Sequence, residues 1–232
     1  MTLDRIAPFR RFALYHLPEG ELGAFGAAWL GWDARLGQAL PRPDLPGLPD
    51  EAETMTAEAM RYGFHATLKA PFRLAAGHEV QDLARRARLV CDPLAPFSLS
   101  LALVQQYGFV ALRPVAQPPQ LLALEQALVT RLDDLRAALT PEERDRRRPE
   151  TLPDAARRHL DHWGYPYVLD LFGYHLTLSR SLAPDAGRAL IRAMTPAVAP
   201  LIRAPMPVTS VALMGEDAFG RFHRIEDIPL RG

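Results

Sequence analysis

Apolar and polar residues alternate in two short stretches that are near copies of each other. In the first, Phe64, Ala66 and Leu68 would point to one side of a strand and His65, Thr67 and Lys69 to the other. In the second, Tyr174, Leu176 and Leu178 oppose His175, Thr177 and Ser179. Sliding the chain by 110 positions lays Tyr62 to Leu68 on Phe172 to Leu178 without a gap; the shared residues are Gly, His, Thr and Leu. The same offset puts Ser100 on Ser210, Ala102 on Ala212, Leu103 on Leu213 and Phe109 on Phe219. A match sustained over that length reads as an internal duplication, with repeat units of about 61–115 and 171–227.

Each unit predicts the order β-α-β-β. Val80, Leu83, Ala84, Ala87 and Val90 recur at helical spacing after the first His segment, and Ala189, Leu190, Ala193, Met194 and Ala197 after the second. Strands follow at Phe97 to Val104 and Val208 to Met214, then returning strands at Gly108 to Arg113 and Phe219 to Ile225, with Gly108 and Gly220 as turn residues. A strand at Arg11 to Leu17 and a helix near Glu21 to Leu36 precede the first unit. A helix with Leu121, Leu124, Leu128, Leu132, Leu135 and Leu139 on one face lies between the two. Pro41 to Pro49 is too rich in proline to continue a helix, and Pro141 to Pro153, which holds Arg144, Arg146, Arg147 and Arg148, reads as a solvated loop. The class is α+β, with helices on one face of antiparallel sheets.

Composition narrows the function. The chain has 232 residues, 48% of them hydrophobic, enough for a packed core. Lys plus Arg equals Asp plus Glu, at 27 each, which argues against a protein that coats long nucleic acid and leaves room for a small anionic ligand. Cys91 is the one cysteine, so no internal disulfide forms and a reducing, cytoplasmic setting is expected. Met1 to Leu17 shows no signal-peptide pattern, and the longest mostly apolar run, Leu22 to Trp32, is too short for a bilayer. Lys69 is the one lysine in the chain.

The paired His-x-Thr segments carry the candidate chemistry. A spacing of two on a strand sets imidazole and hydroxyl side by side on one face. If the two copies meet, four side chains converge on one cleft with no carboxylate among them. Such a set suits an anion, because hydroxyls and protonated imidazoles donate to phosphate oxygens. Opening a cyclic phosphodiester needs a base for water and an acid for the leaving alkoxide, and histidine can serve as either near neutral pH. A lone strand histidine is more often an ordinary residue. Two at matched positions, each followed by Thr at plus two, have no packing reason to recur.

Two His-x-Thr motifs about a hundred residues apart resemble the 2H phosphoesterase superfamily, which includes RNA 2',3'-cyclic phosphodiesterases and 2'-5' RNA ligase-like proteins. Arg61 to Lys69 with Pro71-Phe72, Tyr174 to Leu178, Arg11 to Pro18 and Phe25 to Asp33 are similar to a narrower branch associated with phosphonate metabolism. The resemblance covers nearly the whole chain. It implies a bilobal domain over 1–232, two antiparallel sheets flanked by helices around a central cleft, with no cofactor and no metal. It carries His65 and His175 over as catalytic residues and Thr67 and Thr177 as phosphate-binding ones. The implied activity is hydrolysis of a small sugar or nucleotide cyclic phosphate; the alternatives are a non-catalytic binding module for phosphorylated ligands and an RNA-end phosphodiesterase or ligase. Oligomeric state is not legible.

Lys69, on the His65 face, and Tyr15, on the first strand, are further candidates for phosphate binding. Arg61 and Arg180 flank the motifs, and surface ion pairs are the expectation for both. His159 and His162 have helical spacing but lack the further ligands a closed metal site needs. Gly20, Gly23 and Gly26 do not form a dinucleotide fingerprint, and there is no P-loop.

Overall fold

The computed structural model describes residues 9–232, so residues 1–8 of the stretch read for a signal peptide lie outside it. The chain begins with β1 (Arg11–His16), α1 (Gly20–Leu30), the two-residue strands β2 (Trp32–Asp33) and β3 (Gln38–Ala39), α2 (Ala52–Met60) and β4 (Ala66–Phe72). It continues with α3 (Val80–Cys91), β5 (Phe97–Leu99), β6 (Leu101–Gln106), β7 (Phe109–Pro114), α4 (Pro119–Arg131), α5 (Pro141–Asp145) and α6 (Asp154–Trp163). The last elements are β8 (Leu176–Ser181), α7 (Pro184–Leu201), β9 (Met206–Val208), β10 (Ser210–Glu216) and β11 (Phe222–Pro229). The class is α+β. No helix among the described residues is long and apolar enough to cross a membrane.

Two antiparallel sheets organise the molecule. One has the order β11-β10-β1-β4 and the other β6-β7-β8. Consequently β4, which follows His65, shares a sheet with the β10–β11 hairpin, whereas β8, which follows His175, pairs with the β6–β7 hairpin. The hairpin that follows each His segment in sequence is thus built into the other sheet. β5 pairs with β9, and since each lies one residue before the hairpin strand it precedes, that short ladder ties the two exchanged chains together.

β1 is central and buried on both faces. Phe12 and Leu14 join the main core with Trp29, Leu68, Leu112, Leu176 and Leu178, while Ala13, Tyr15 and Leu17 join a smaller cluster with Trp32, Met214 and Phe222. Burial of its whole apolar surface explains why this strand reads as nearly continuous hydrophobicity rather than alternation.

Several sequence expectations need adjustment. α1 stops at Leu30 rather than near Leu36, because Gly31 adopts φ 77° and its N–H closes on the Ala27 and Ala28 carbonyls. The strand expected over Phe97 to Val104 is broken at Ser100 into β5 and β6. α2 and α6 were not foreseen. Within Pro141 to Pro153, Thr140 and Glu143 form a reciprocal capping box that nucleates α5. Finally, Phe109 is not the counterpart of Phe219: the second hairpin has the longer turn, so Phe222 occupies the ladder position facing Glu216 as Phe109 faces Gln106, while Phe219 is 90% exposed at the tip.

Candidate functional site

The two His-x-Thr segments enter their sheets in the same way. His65, Thr67, His175 and Thr177 each keep partial solvent access, while Phe64, Ala66, Leu68, Tyr174, Leu176 and Leu178 are buried. In both strands the alternation then breaks, and Lys69 and Ser179 turn inward. Next to Lys69 the cause is irregular pairing with β1: Thr67 faces Tyr15 but Lys69 faces Leu14. Next to Ser179 the ladder with β7 shifts, and the serine hydroxyl accepts the Val110 N–H at 3.0 Å.

Both imidazoles are held by the same backbone device. His65 Nδ1–H donates to the Gly63 carbonyl at 2.9 Å, and His175 Nδ1–H donates to the Gly173 carbonyl at 2.7 Å. A carbonyl can only accept, so the proton of each neutral ring resides on Nδ1 and Nε2 carries the lone pair. Thr67 Oγ1–H donates to His65 Nε2 at 3.1 Å. Burial pushes His65 down to about 4, partly offset by the Gly63 carbonyl, with the nearby His175 adding like-charge repulsion. His175 is also lowered, first by burial; the Gly173 carbonyl works against the shift and Arg113 adds to it.

Surrounding side chains fix these rings. Tyr15 stacks on His65 with centroids 3.9 Å apart and planes inclined by 27°, and Tyr62 lies 5.8 Å from His65. Phe109 packs 5.4 Å from His175. Gln117 clamps the backbone before His175, accepting the Tyr174 N–H at 2.7 Å and donating to Phe172 O at 3.2 Å. Tyr174 Oη and His16 Nδ1 share a buried hydrogen bond of 2.6 Å, which ties the segment entering β8 to β1. Trp29 Nε1–H donates to Leu178 O at 2.7 Å, seating α1 on β8.

Two of the sequence candidates leave the phosphate-binding set. Lys69 is 4% exposed, and its ammonium donates to Val129 O at 2.9 Å with Asp133 at 3.5 Å, away from the histidine face. Tyr15 is fully buried beneath His65, so it buttresses the ring instead of meeting a ligand. Arg180 pairs with Asp50 at 3.0 Å, the surface ion pair expected. Arg61 instead lies 4.5 Å over the Tyr62 ring.

One residue escaped sequence reasoning. The ladder that pairs Ala111 with Thr177 and Leu112 with Leu176 carries Arg113 on to the level of His175. Its guanidinium sits 5.4 Å from the Tyr107 ring centre and 5.3 Å from that of Phe109. Among the described residues it has no carboxylate partner, and its Nε is buried without a hydrogen bond. The available signal was an arginine two positions after Ala111 in an otherwise apolar returning strand. Nothing in one sequence, however, pairs that strand with His175.

His65 and His175, each held at Nδ1 by a glycine carbonyl, with Thr67 and Thr177 two residues on and Arg113 at the level of His175, make up the candidate site of this α+β protein. The chain belongs to a family described as a protein of unknown function (DUF1045), whose model matches residues 67–223. It is 35% identical over 176 residues to a protein of Janthinobacterium sp. (strain Marseille) named ribose 1,5-bisphosphate phosphokinase PhnN, over 74% of this chain and 39% of that protein. A protein of the same name from Laribacter hongkongensis (strain HLHK9) is 37% identical over 174 residues, covering 74% and 40%. The chain therefore spans about two fifths of the curated relatives it matches. Among solved structures, E. coli LigT in apo form matches with 14% identity and a TM-score of 0.48 over 96% of this chain and 98% of that one. E. coli LigT complexed with 3'-AMP matches with 15% identity and a TM-score of 0.46 (97% and 99%), and a phosphoesterase with 15% and 0.45 (96% and 99%).

Proposed function

We propose that this protein is a metal-independent phosphoesterase that opens a small cyclic phosphodiester, using His65 and His175 as general base and general acid. The observation that carries the reading is the matched pair of rings, each with Nδ1–H tied to a glycine carbonyl so that Nε2 carries the lone pair, which in His65 accepts only the Thr67 hydroxyl. In the reaction, water attacks phosphorus while one neutral Nε2 accepts its proton. The bond to the ring oxygen breaks as the other imidazole, protonated at Nε2, gives that alkoxide its proton. The product is an open phosphomonoester, and the pair ends with its proton exchanged between the two rings.

Thr67, Thr177 and Arg113 supply donors for the non-bridging oxygens. Thr67 donates to His65, and on binding its hydroxyl turns to phosphate. Arg113, which has no carboxylate partner among the described residues, meets the phosphate charge. An arriving anion also raises the affinity of the histidines for a proton, so that one of two depressed imidazoles is charged when substrate is present. The names of the curated relatives point to phosphorylated ribose as the substrate class and fit a role in phosphonate metabolism.

The test is hydrolysis of nucleoside 2',3'-cyclic phosphates in EDTA. His65→Ala and His175→Ala should each lose roughly 10²–10⁴-fold in kcat. Turnover only on adding a divalent ion, or full activity in either variant, overturns the reading. Tight binding without turnover on a broad panel of cyclic phosphates identifies a binding module instead.

A further inference from the structure

A second feature adjoins His65 through the side chain of Tyr62. Tyr62, whose ring is 5.8 Å from His65, also lines a cavity of about 260 Å³. That is slightly below the roughly 300 Å³ at which pockets begin to enclose a whole drug-sized ligand, so the cavity suits one group of a larger molecule. Five arginines line it, Arg11, Arg61, Arg73, Arg146 and Arg147, against one carboxylate, Glu143.

Two of the five are already matched. Arg11 binds Glu216 through two contacts of 2.5 and 2.6 Å, and Arg73 binds Glu143 through two of 3.0 and 2.9 Å. Arg61, Arg146 and Arg147 have no carboxylate within ion-pair distance among the described residues. Two of these three are held by aromatic faces: Arg61 lies 4.5 Å over Tyr62, to whose hydroxyl it donates, and Arg147 lies 4.9 Å over Tyr165. Stacking orders a guanidinium plane while leaving most of its N–H groups unused, which suits bidentate recognition of an oxyanion.

The fold places these groups deliberately. The backbone of Arg73, just past β4, accepts the Ala137 N–H at 2.8 Å, and its side chain reaches Ala138 O at 2.8 Å. The bond from Arg73 to Glu143 then pins the capped helix α5, and Arg146 and Arg147 follow directly from it. A solvated loop, as the sequence suggested for this stretch, would need none of these anchors.

We propose that this cavity is a second anion subsite, which takes a terminal phosphomonoester of the same molecule whose cyclic phosphodiester is presented to His65 and His175. The substrate class is thereby narrowed to small molecules carrying both groups. This proposal rests on the phosphoesterase reading, and the test separates the two.

The kinetic arm compares adenosine 2',3'-cyclic phosphate with its 5'-phosphorylated form. Wild type should favour the 5'-phosphorylated compound by roughly ten-fold to a hundred-fold in kcat/KM. Arg146→Gln/Arg147→Gln should erase that preference, mainly through KM, and leave the unphosphorylated compound unaffected. Equal use of both by wild type, or an undiminished preference in the double variant, overturns the proposal. The binding arm uses adenosine 5'-phosphate in calorimetry and needs no turnover. Binding should persist in His65→Ala and fall at least ten-fold in the double variant. If hydrolysis fails but this pattern holds, the subsite stands and the catalytic reading falls. If adenosine 5'-phosphate does not bind wild type, or binds the double variant equally well, the subsite is refuted whatever the hydrolysis shows.

Discussion

Replacing Arg113 by Met separates its contribution to anion binding from its contribution to folding, because the two should respond differently. The side chain is partly buried next to His175, its Nε has no partner, and its charge is opposed by no carboxylate among the described residues. Burial lowers its proton affinity, which is the signature of a cation desolvated without compensation. Methionine keeps most of the stem against Tyr107 and Phe109. The change loses two cation–π contacts of about 0.5–1 kcal/mol each and gains back the desolvation cost, so unfolding free energy should move by less than about 1 kcal/mol. The phosphate, in contrast, loses charge-assisted hydrogen bonds of about 1.5–3 kcal/mol, or roughly 10- to 150-fold in kcat/KM. Arg113→Lys restores charge but not the planar fork and should recover only part of the loss. The assay is hydrolysis of a 2',3'-cyclic nucleotide alongside urea denaturation of the same samples. Unchanged kcat/KM, or a large stability loss that accounts for the lost activity, would refute the reasoning.

Three further outcomes follow from the same geometry. Since His65 is pushed down to about 4 and His175 is also lowered, the singly protonated free enzyme is most populated below the ordinary histidine value of about 6.5. The kcat/KM optimum should therefore lie on the acid side of 6.5, and an optimum above 7.5 contradicts the assignment. Burial first, then the charge of Arg35, takes His16 from 6.5 down to about 3. The unfolded chain gains a proton below 6.5 that the folded chain refuses, so His16 makes stability fall by about 1.4 kcal/mol per pH unit between roughly 6.5 and 3. His16→Gln should flatten the urea-midpoint dependence between pH 7 and 5, and an unaltered slope rejects the account. Lys69→Met should cost about 1–3 kcal/mol of stability through the lost bond to Val129 O and leave kcat within about two-fold, because the ammonium faces away from the site; a hundred-fold drop in kcat would return Lys69 to the phosphate.

The local chemistry was legible in the sequence because it is short-range. Alternation around His65 and His175 assigned the exposed face of each strand. The twinned Gly-x-His-x-Thr spacing already held what orients each ring, since the carbonyl two residues upstream accepts Nδ1–H in both cases. β1, β4, α3 and β8 were likewise foreseeable from apolar spacing within one element. Lys69 shows the limit: a period of two carried it onto the histidine face, and one irregular step in pairing with β1 turned it into the core.

Residue order along the chain determined which side chains share a strand face; only tertiary structure decided which strands are neighbours. The exchange that joins β8 to the β6–β7 hairpin brings Arg113 to His175, and the bond from Arg73 to Glu143 brings Arg146 and Arg147 towards Tyr62. Such contacts depend on pairing register and on burial between segments far apart in the chain. A one-residue slip reverses the face of every side chain in a strand, and no local spacing specifies that register.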